Sequence, residues 1–358
     1  MAASAPPDPL SARALGVLFR VLAVVAGLLL FVLALELLKK GAGGVGPLLR
    51  QLGVSGLAGG LGVGWLAACV LLSGSPVAAM ALTLLASGTL TTEETFGMIG
   101  GSRMGASFVV LVIGALDDFR AGRHEKRSAY IGVAALVATA AVFLPAMVLA
   151  WVGLSRGVFA GLRIEGRDLA GLFERLYGPL LAVLGAGLPP AVLFLAGVLA
   201  LLAAFRAFDR ALPDLEGRES PLLETGHVFY RPWFMFAVGL LTTALTLSVS
   251  VSLSLLVPLA AKGYVRRENV CPYILGANIT TFVDTLFAGA LVGHPDGLRV
   301  VALLMTAVSL LSLPVVFLFP YAFNRLVDHL AVRATAGPRA IVAFLALLFL
   351  APLVLIAL

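Results

Sequence analysis

Seven stretches of about 20 or more mostly apolar residues run through this 358-residue chain and limit what it can fold into. An α-helix needs about 20 apolar residues to cross the hydrocarbon core of a bilayer. Charged residues make up only 12% of the chain, against about 25% in soluble domains. The sequence therefore indicates an integral membrane protein and excludes a soluble enzyme or nucleic-acid-binding protein of ordinary composition. The predicted crossings are Ala14–Leu38, Phe96–Leu116, Ala129–Gly153, Gly178–Ala204, Val270–Gly293, Val300–Phe323 and Arg339–Leu358.

Two further apolar regions, Gly53–Leu90 and Phe234–Ala261, are interrupted by Gly, Pro or Ser. Each is too long for one helix and too interrupted for two crossings, so we expect re-entrant hairpins. With a cytoplasmic N-terminus, about 15 cationic residues fall in inside segments and about eight in outside segments, as the positive-inside rule requires. Few cysteines and the absence of a targeting signal fit a bacterial plasma (inner) membrane.

The chain resembles itself at a displacement of 175 residues, where Leu72-Ser73-Gly74-Ser75 aligns with Leu247-Ser248-Val249-Ser250. Each copy contains three predicted crossings and one hairpin, and an odd number of crossings turns the second copy upside down. Inverted repeats are typical of secondary transporters, whose substrate site lies near the middle of the membrane at the repeat interface.

We therefore predict an all-α integral membrane protein with two inverted-topology repeats and one extra C-terminal helix. Each repeat has three transmembrane helices plus a re-entrant helical hairpin. The predicted boundaries are 14–153 for the first repeat with its hairpin at 53–90, 154–177 for a surface linker, 178–325 for the second repeat with its hairpin at 230–262, and 339–358 for the C-terminal transmembrane helix.

Serines mark the tips of both predicted hairpins. Ser248, Ser250, Ser252 and Ser254 alternate with apolar residues, which places them on one face of an extended chain but not of a helix. Extended backbone at membrane depth is tolerated only where it lines a cavity or is buried in protein. The alternative is a helix whose serines bond to its own carbonyls. In the first copy, Ser73-Gly74-Ser75-Pro76 contains helix-breaking residues, and we favour a polar cavity lined by both tips.

After the second tip, Gly276-Ala277-Asn278-Ile279-Thr280-Thr281 resembles a motif of the sodium/phosphate cotransporter family. That family has two inverted copies of a Gln-Ser-Ser-Ser hairpin tip, each followed by a Gly-Ala-Asn-Ile-Gly-Thr-Thr helix. The resemblance covers Leu72–Leu116 and Leu247–Leu291. The chain departs from the family pattern at four places: leucine replaces glutamine at Leu72 and Leu247, Gly101-Ser102-Arg103 replaces Gly-Ala-Asn, and Thr280 replaces glycine.

The resemblance implies an ion-coupled secondary transporter that carries a small inorganic anion, such as phosphate, by alternating access around a mid-membrane site. Sodium or a proton would be the coupling ion, with no other cofactor or metal, and the bilayer rather than a nucleic acid would surround the chain. By this resemblance, the substrate-binding residues are Ser73, Gly74, Ser75, Ser248 and Ser250, and the ion-binding residues are Asn278, Thr280, Thr281 and Ser252.

Other functions stay open at this point. The carrier could transport a different small anion or be proton-coupled, and loss of both tip glutamines favours a transport-dead membrane protein with a regulatory or structural role. An enzyme is not expected, because the chain has no carboxylate pair, histidine cluster or nucleophile–base spacing near an interface.

Arg103 and Asp284 are ionisable residues well inside predicted helices. Placing either in hydrocarbon costs about 2.5–3.5 kcal/mol on insertion scales, so each needs a partner or a cavity. Arg103 stands at the position equivalent to Asn278. We expect Arg103 to bind the anionic substrate or pair with Asp284, and Asp284 to be a coupling-ion or proton site. The alternatives are that Arg103 snorkels to the headgroups and that Asp284 only joins two helices.

Two local patterns predict helix geometry. Thr91-Thr92-Glu93-Glu94 predicts a capping box, with Thr91 as the N-cap of the helix that follows. Gly56, Gly60 and Gly64 recur at every fourth residue, a spacing that lets helices approach closely.

Overall fold

The computed structural model of the chain describes residues 9–120, 127–162, 167–211, 231–246, 248–249, 251–253, 256, 265 and 267–358. Regular secondary structure in these ranges is entirely helical, and it includes short helical pieces at 249 and 251–253 that lie outside the helices named below. The helices are α1 (Pro9–Gln51), α2 (Gly56–Leu71), α3 (Gly74–Ala86), α4 (Thr92–Ala106), α5 (Phe108–Arg120), α6 (Arg127–Ser155), α7 (Arg167–Gly187), α8 (Pro190–Ala211), α9 (Pro232–Thr246), α10 (Arg267–Thr280), α11 (Phe282–Val292), α12 (Pro295–Phe317), α13 (Pro320–Thr335) and α14 (Pro338–Ala357).

Seven helical stretches of the described chain are long and apolar enough to cross a membrane. They are Leu18–Gln51, Thr92–Gly114, Tyr130–Ser155, Pro190–Arg210, Glu268–Val292, Pro295–Phe317 and Arg339–Ala357. Each overlaps one of the predicted crossings, so the described residues have the predicted all-helical character and seven helices compatible with an integral membrane protein.

Four boundaries differ from the prediction. The crossing predicted at Val300–Phe323 ends at Phe317, because a new helix, α13, begins at Pro320. The crossing predicted at Gly178–Ala204 is wrong as a single helix, because α7 ends at Gly187 and α8 begins at Pro190. Single prolines such as Pro145 and Pro179 lie inside helices of this chain, but Pro189 and Pro190 are consecutive. Two adjacent residues then lack a backbone N–H, and Pro190 disfavours helical geometry at Pro189, so the helix ends before the pair and a new one begins at Pro190. The predicted surface linker at 154–177 is helical from Arg167 onward, and α1 continues past Leu38 to Gln51.

α4 begins with the predicted capping box. The Thr91 hydroxyl accepts a hydrogen bond from the Glu94 N–H at 3.2 Å, and the Glu94 carboxylate accepts one from the Thr91 N–H at 2.8 Å. These reciprocal bonds satisfy two N–H groups that have no acceptor within the helix.

Glycines bring α2 and α4 into backbone contact. A Cβ on Gly64 would lie 2.1 Å from the Met98 carbonyl oxygen, and one on Gly101 would lie 2.0 Å from that of Leu61. Gly60 makes a similar approach, so close contact is confirmed at two of the three predicted glycines, whereas Gly56 makes none. Absence of a side chain is therefore what allows these two helices to touch.

The same contact recurs between α9 and α10. A Cβ on Gly239 would lie 2.1 Å from the Tyr273 carbonyl oxygen, and one on Gly276 would lie 2.2 Å from that of Phe236. All four residues follow their counterparts in α2 and α4 by 175 residues. The end of α9 follows the end of α2, and the start of α10 the start of α4, by the same number.

The direction of α3 follows from its neighbours. α2 and α4 run the same way, because Gly60 meets Glu94 and Gly105 meets Trp65 further along both helices. Gly74 at the start of α3 lies against Ser102 near the end of α4. The chain must then return to the beginning of α4, so α3 runs back along it, buried from Gly74 to Leu85.

The glycine contacts make a direct stability prediction. Gly101→Ala and Gly276→Ala should each lower the free energy of unfolding by about 2–3 kcal/mol or more, because the added methyl group meets a backbone carbonyl that cannot move aside. Gly43→Ala is the matched control: Gly43 is an exposed residue of α1 with nothing within 4 Å of the added carbon. Alanine there should be neutral or stabilising by up to about 1 kcal/mol. Equal melting temperatures in detergent for all three variants would contradict the prediction.

Candidate functional site

Two interrupted helices face each other in the interior. Ser107 separates α4 from α5, and Thr281 separates α10 from α11. Both residues keep near-helical dihedral angles (φ −65°, ψ −17° and φ −62°, ψ −16°), so each is a local interruption rather than a loop. Arg103, in the last turn of α4, crosses from the first interruption to the second.

The guanidinium of Arg103 bonds to two threonines of the second helix pair. Its Nη1 donates a hydrogen bond to the Thr281 hydroxyl at 2.8 Å, and its Nη2 donates to the Thr285 hydroxyl. Its central carbon lies 4.8 Å from the centre of the Phe282 ring, a cation–π distance. Only 3% of Arg103 is exposed, so the protein rather than solvent holds this charge.

Asp284 supplies the counter-charge. Its Oδ1 lies 3.9 Å from Arg103 Nη2 and accepts a hydrogen bond from the Thr285 hydroxyl at 2.8 Å. Thr285 therefore accepts from the guanidinium and donates to the carboxylate, which links the two charges through one hydroxyl group. Asp284 is 7% exposed, so this is a buried ion pair.

The first turn of α3 completes the cluster. The Ser75 side chain is buried and interacts with the Asp284 carboxylate. The first N–H groups of a helix have no acceptor within it, and the helix dipole favours negative charge at this end. The cluster of Ser75, Arg103, Thr281, Asp284 and Thr285, called the Arg103 cluster below, thus combines a cation, a carboxylate, three hydroxyls and a helix N-terminus.

Two polar atoms of the Arg103 cluster have no hydrogen-bond partner among the described residues. They are Arg103 Nε and Asp284 Oδ2, and both are buried. Buried polar atoms are nearly always hydrogen-bonded, so unpaired ones call for an explanation. Here one donor and one acceptor remain for a ligand or a proton.

Several predicted site residues meet in the Arg103 cluster. The structure brings Ser75, Arg103, Thr281 and Asp284 together, and the expected pairing of Arg103 with Asp284 is present instead of snorkelling. Ser73, just outside the cluster, is the half-buried N-cap of α3.

The predicted break at the first tip is confirmed. Ser73 is extended (φ −159°, ψ 134°), and Leu72 before it has a left-handed φ of 51°. A Cβ on Gly74 would lie 2.8 Å from the Ser102 carbonyl oxygen, so glycine allows α3 to start against α4.

Three other predicted residues bond elsewhere. The Asn278 side-chain amide donates to the Thr139 hydroxyl of α6 at 3.1 Å. Thr280 donates back to the Gly276 carbonyl of its own helix at 3.4 Å, and the Ser252 hydroxyl pairs with that of Tyr273 at 2.8 Å. Each of these three side chains forms its hydrogen bond within its own helix or to another helix, and none of them bonds to a member of the Arg103 cluster.

The extended chain predicted at the second tip is wrong in its described part. Ser248 caps a helix: its hydroxyl accepts from the Val251 N–H at 3.3 Å, and its carbonyl accepts from the Ser252 N–H at 3.0 Å. Serine at an N-cap satisfies N–H groups that would otherwise have no partner, and this overrides the alternation of apolar residues. Ser250 and Ser254 lie outside the described residues.

Thr285, Phe282 and Thr139 were not predicted. The useful signal was the spacing of Thr281 and Thr285, because residues four apart lie on the same helix face and both hydroxyls then face Arg103.

Chemically, the Arg103 cluster offers what a small oxyanion needs. A guanidinium and a helix N-terminus bind oxyanions strongly, and a neighbouring carboxylate can accept a proton.

Comparison of the chain with protein-family models, with curated proteins and with solved structures gives no match.

Proposed function

We propose that the protein is an ion-coupled secondary transporter, resembling sodium-dependent phosphate symporters, that carries a small inorganic anion by alternating access. The observation that carries the proposal is the buried Arg103 cluster, which places a cation and a carboxylate well inside two helical stretches long and apolar enough to cross a membrane. Ionisable residues inside membrane segments are rare and typically mark substrate or ion pathways. In the proposed setting, a bacterial plasma (inner) membrane, the N-terminus is cytoplasmic.

The depth of the Arg103 cluster supports this. Ser107 falls between helices of 15 and 13 residues, and Thr281 between helices of 14 and 11 residues. Thr281 therefore lies close to halfway along its crossing, Glu268–Val292, and Arg103 close to halfway along Thr92–Gly114, with Ser107 about one turn further on. Discontinuous helices near the midplane are typical of substrate sites in secondary transporters.

The repeated contacts support two inverted repeats, at 14–153 and 178–325. The serine N-caps Ser73 and Ser248, the glycine contacts and the two interruptions all recur at or within one residue of a 175-residue displacement. Three crossings per copy would invert the second copy. α2 and α3, of 16 and 13 residues, reach about 24 Å and 20 Å. Both are shorter than the roughly 30 Å hydrocarbon core, which favours a re-entrant hairpin.

The chemistry favours phosphate as the first anion to test. Arg103, Ser75 and the start of α3 could supply charged and neutral donors to its oxygens. All members of the Arg103 cluster are at least nine-tenths buried. In alternating access this corresponds to a site closed to both sides, which opens as one repeat moves relative to the other.

Uptake measurements test the proposal. Purified protein in liposomes should accumulate radiolabelled phosphate above protein-free liposomes when an inward gradient of sodium or of protons is imposed. Excess unlabelled phosphate should compete, and Arg103→Met protein, reconstituted at the same density, provides the matched control. Failure to take up phosphate or sulfate under either gradient would favour the alternative, a membrane protein with a regulatory or structural role.

A further inference from the structure

Asp284 already occupies the place where a carried anion would meet Arg103. We propose that Asp284 is a built-in competitor for the Arg103 guanidinium, and that a proton on its carboxylate releases Arg103 to bind a monovalent oxyanion. The coupling ion is then a proton. This inference rests on the proposed function and names the substrate class and the coupling ion of the same site.

The ion pair is loose enough to exchange partners. Charge-assisted hydrogen bonds between a guanidinium and a carboxylate are about 2.7–2.9 Å long, whereas Arg103 Nη2 and Asp284 Oδ1 are 3.9 Å apart. Thr285 provides the hydrogen bond between them. Arg103 is thus neutralised by Asp284 without a direct short bond, and its Nε remains unpaired among the described residues.

The surroundings of Asp284 favour a proton over a sodium ion. Arg103 on α4 is the charged group that faces it, Ser75 approaches from α3, and Thr285 bonds to it from its own helix. A hard cation needs several oxygen ligands, yet the hydroxyl oxygens of Thr281 and Thr285 accept hydrogen bonds from Arg103. A proton needs one atom, and Asp284 Oδ2 is buried without a partner among the described residues.

Charge balance makes the coupling strict. Without ligands, Arg103 and Asp284 neutralise each other. With a proton on Asp284 and a monovalent anion on Arg103, the cluster is neutral again. A proton alone or an anion alone leaves an uncompensated buried charge, which slows passage of these half-loaded forms by at least about 100-fold. Each ligand therefore strengthens binding of the other, as linkage requires.

Equilibrium binding of radiolabelled phosphate to the purified full-length protein tests this without depending on transport. Dihydrogen phosphate is held at constant concentration while the pH is raised from about 6 to about 8 in sodium-free buffer. Affinity of the wild-type protein should fall at least about tenfold. Asp284→Asn should change less than about twofold and should bind more tightly than the wild type at the higher pH, because its competing charge is gone.

Asp296→Asn is the matched control. Asp296 lies on α12 with a side chain 43% exposed, 3.8 Å from Arg299, and its neutralisation should leave the pH dependence of the wild type. If Asp284→Asn does not fold, the wild type alone still decides: phosphate should raise its melting temperature at the lower pH and not at the higher one.

Three results would overturn the inference. One is an equal pH dependence in the wild type and Asp284→Asn. Another is wild-type binding that is independent of pH but strengthened by sodium, which would leave the proposed transporter intact with a different coupling ion. The last is binding of phosphate at neither pH, and only this result, together with absent uptake, also removes the proposed function.

Discussion

Replacing Arg103 by methionine should abolish anion uptake and lower the free energy of unfolding by about 3–5 kcal/mol. Methionine leaves Asp284, 7% exposed, buried without a counter-charge, and breaking a buried pair from one side carries that cost. Uptake into liposomes and thermal unfolding in detergent measure the two effects. Asp296→Leu is the control, because its partly exposed pair with Arg299 should be worth about 0–1 kcal/mol.

The double variant Arg103→Met/Asp284→Leu separates stability from function. Removing both charges together replaces the buried pair by apolar contacts, which is often neutral or stabilising. Most of the lost stability should therefore return, while uptake stays absent because neither anion nor proton has a site. A double variant that transports at the wild-type rate would show that the pair only joins α4 to α11.

The crossings were predictable because a bilayer demands only length and low polarity. The same criterion failed at Pro189–Pro190, where apolar residues on both sides hide the end of α7 and the start of α8. Hydropathy registers composition over a window, whereas a proline acts on one backbone N–H and its neighbour. Averaging hydropathy over a window of apolar residues therefore predicts one helix where α7 and α8 are two.

The charged members of the Arg103 cluster were predictable for a related reason: in an apolar helix, Arg103 and Asp284 cannot be left without a partner. Their hydroxyl partners were harder to find. Threonines in helices commonly bond to their own carbonyls, as Thr280 does. The four-residue spacing of Thr281 and Thr285 places them on one helix face, but only the three-dimensional meeting of α4 and α11 shows that this face meets Arg103.

The alternating serines at the second tip led to a wrong prediction of extended chain, because the same sequence also fits a helix that begins at one of these serines. Alternating serines fit an extended strand, but a single serine hydroxyl can also start a helix. Ser248 does the latter, as its bond to the Val251 N–H shows. The displacement of 175 residues was the better guide, because it equates Ser248 with the N-cap Ser73.

Replacing Arg103 by asparagine, the residue at the equivalent position 278, should make uptake depend on sodium. Asparagine is too short to reach Thr281 and Thr285, so their hydroxyl oxygens are freed beside the Asp284 carboxylate. Oxygen ligands around a vacated space suit a hard cation. Without sodium, uptake should fall at least about 100-fold because no cation is left to bind the anion or to neutralise Asp284. A sodium ion in the vacated place should supply that positive charge and raise uptake again by at least about tenfold.

Comparing Arg103→Asn with Arg103→Met tests whether Arg103 takes the place of a coupling cation. Phosphate uptake is measured for both variants at increasing external sodium concentration, with choline keeping the ionic strength constant. Both variants remove the positive charge, but only asparagine leaves room for a cation, so sodium should rescue Arg103→Asn and not Arg103→Met. Uptake by the wild type should change less than about twofold with sodium, because its guanidinium already fills the place of a bound cation next to Asp284. Equal responses to sodium in the wild type and Arg103→Asn would mean that Arg103 does not replace a coupling cation.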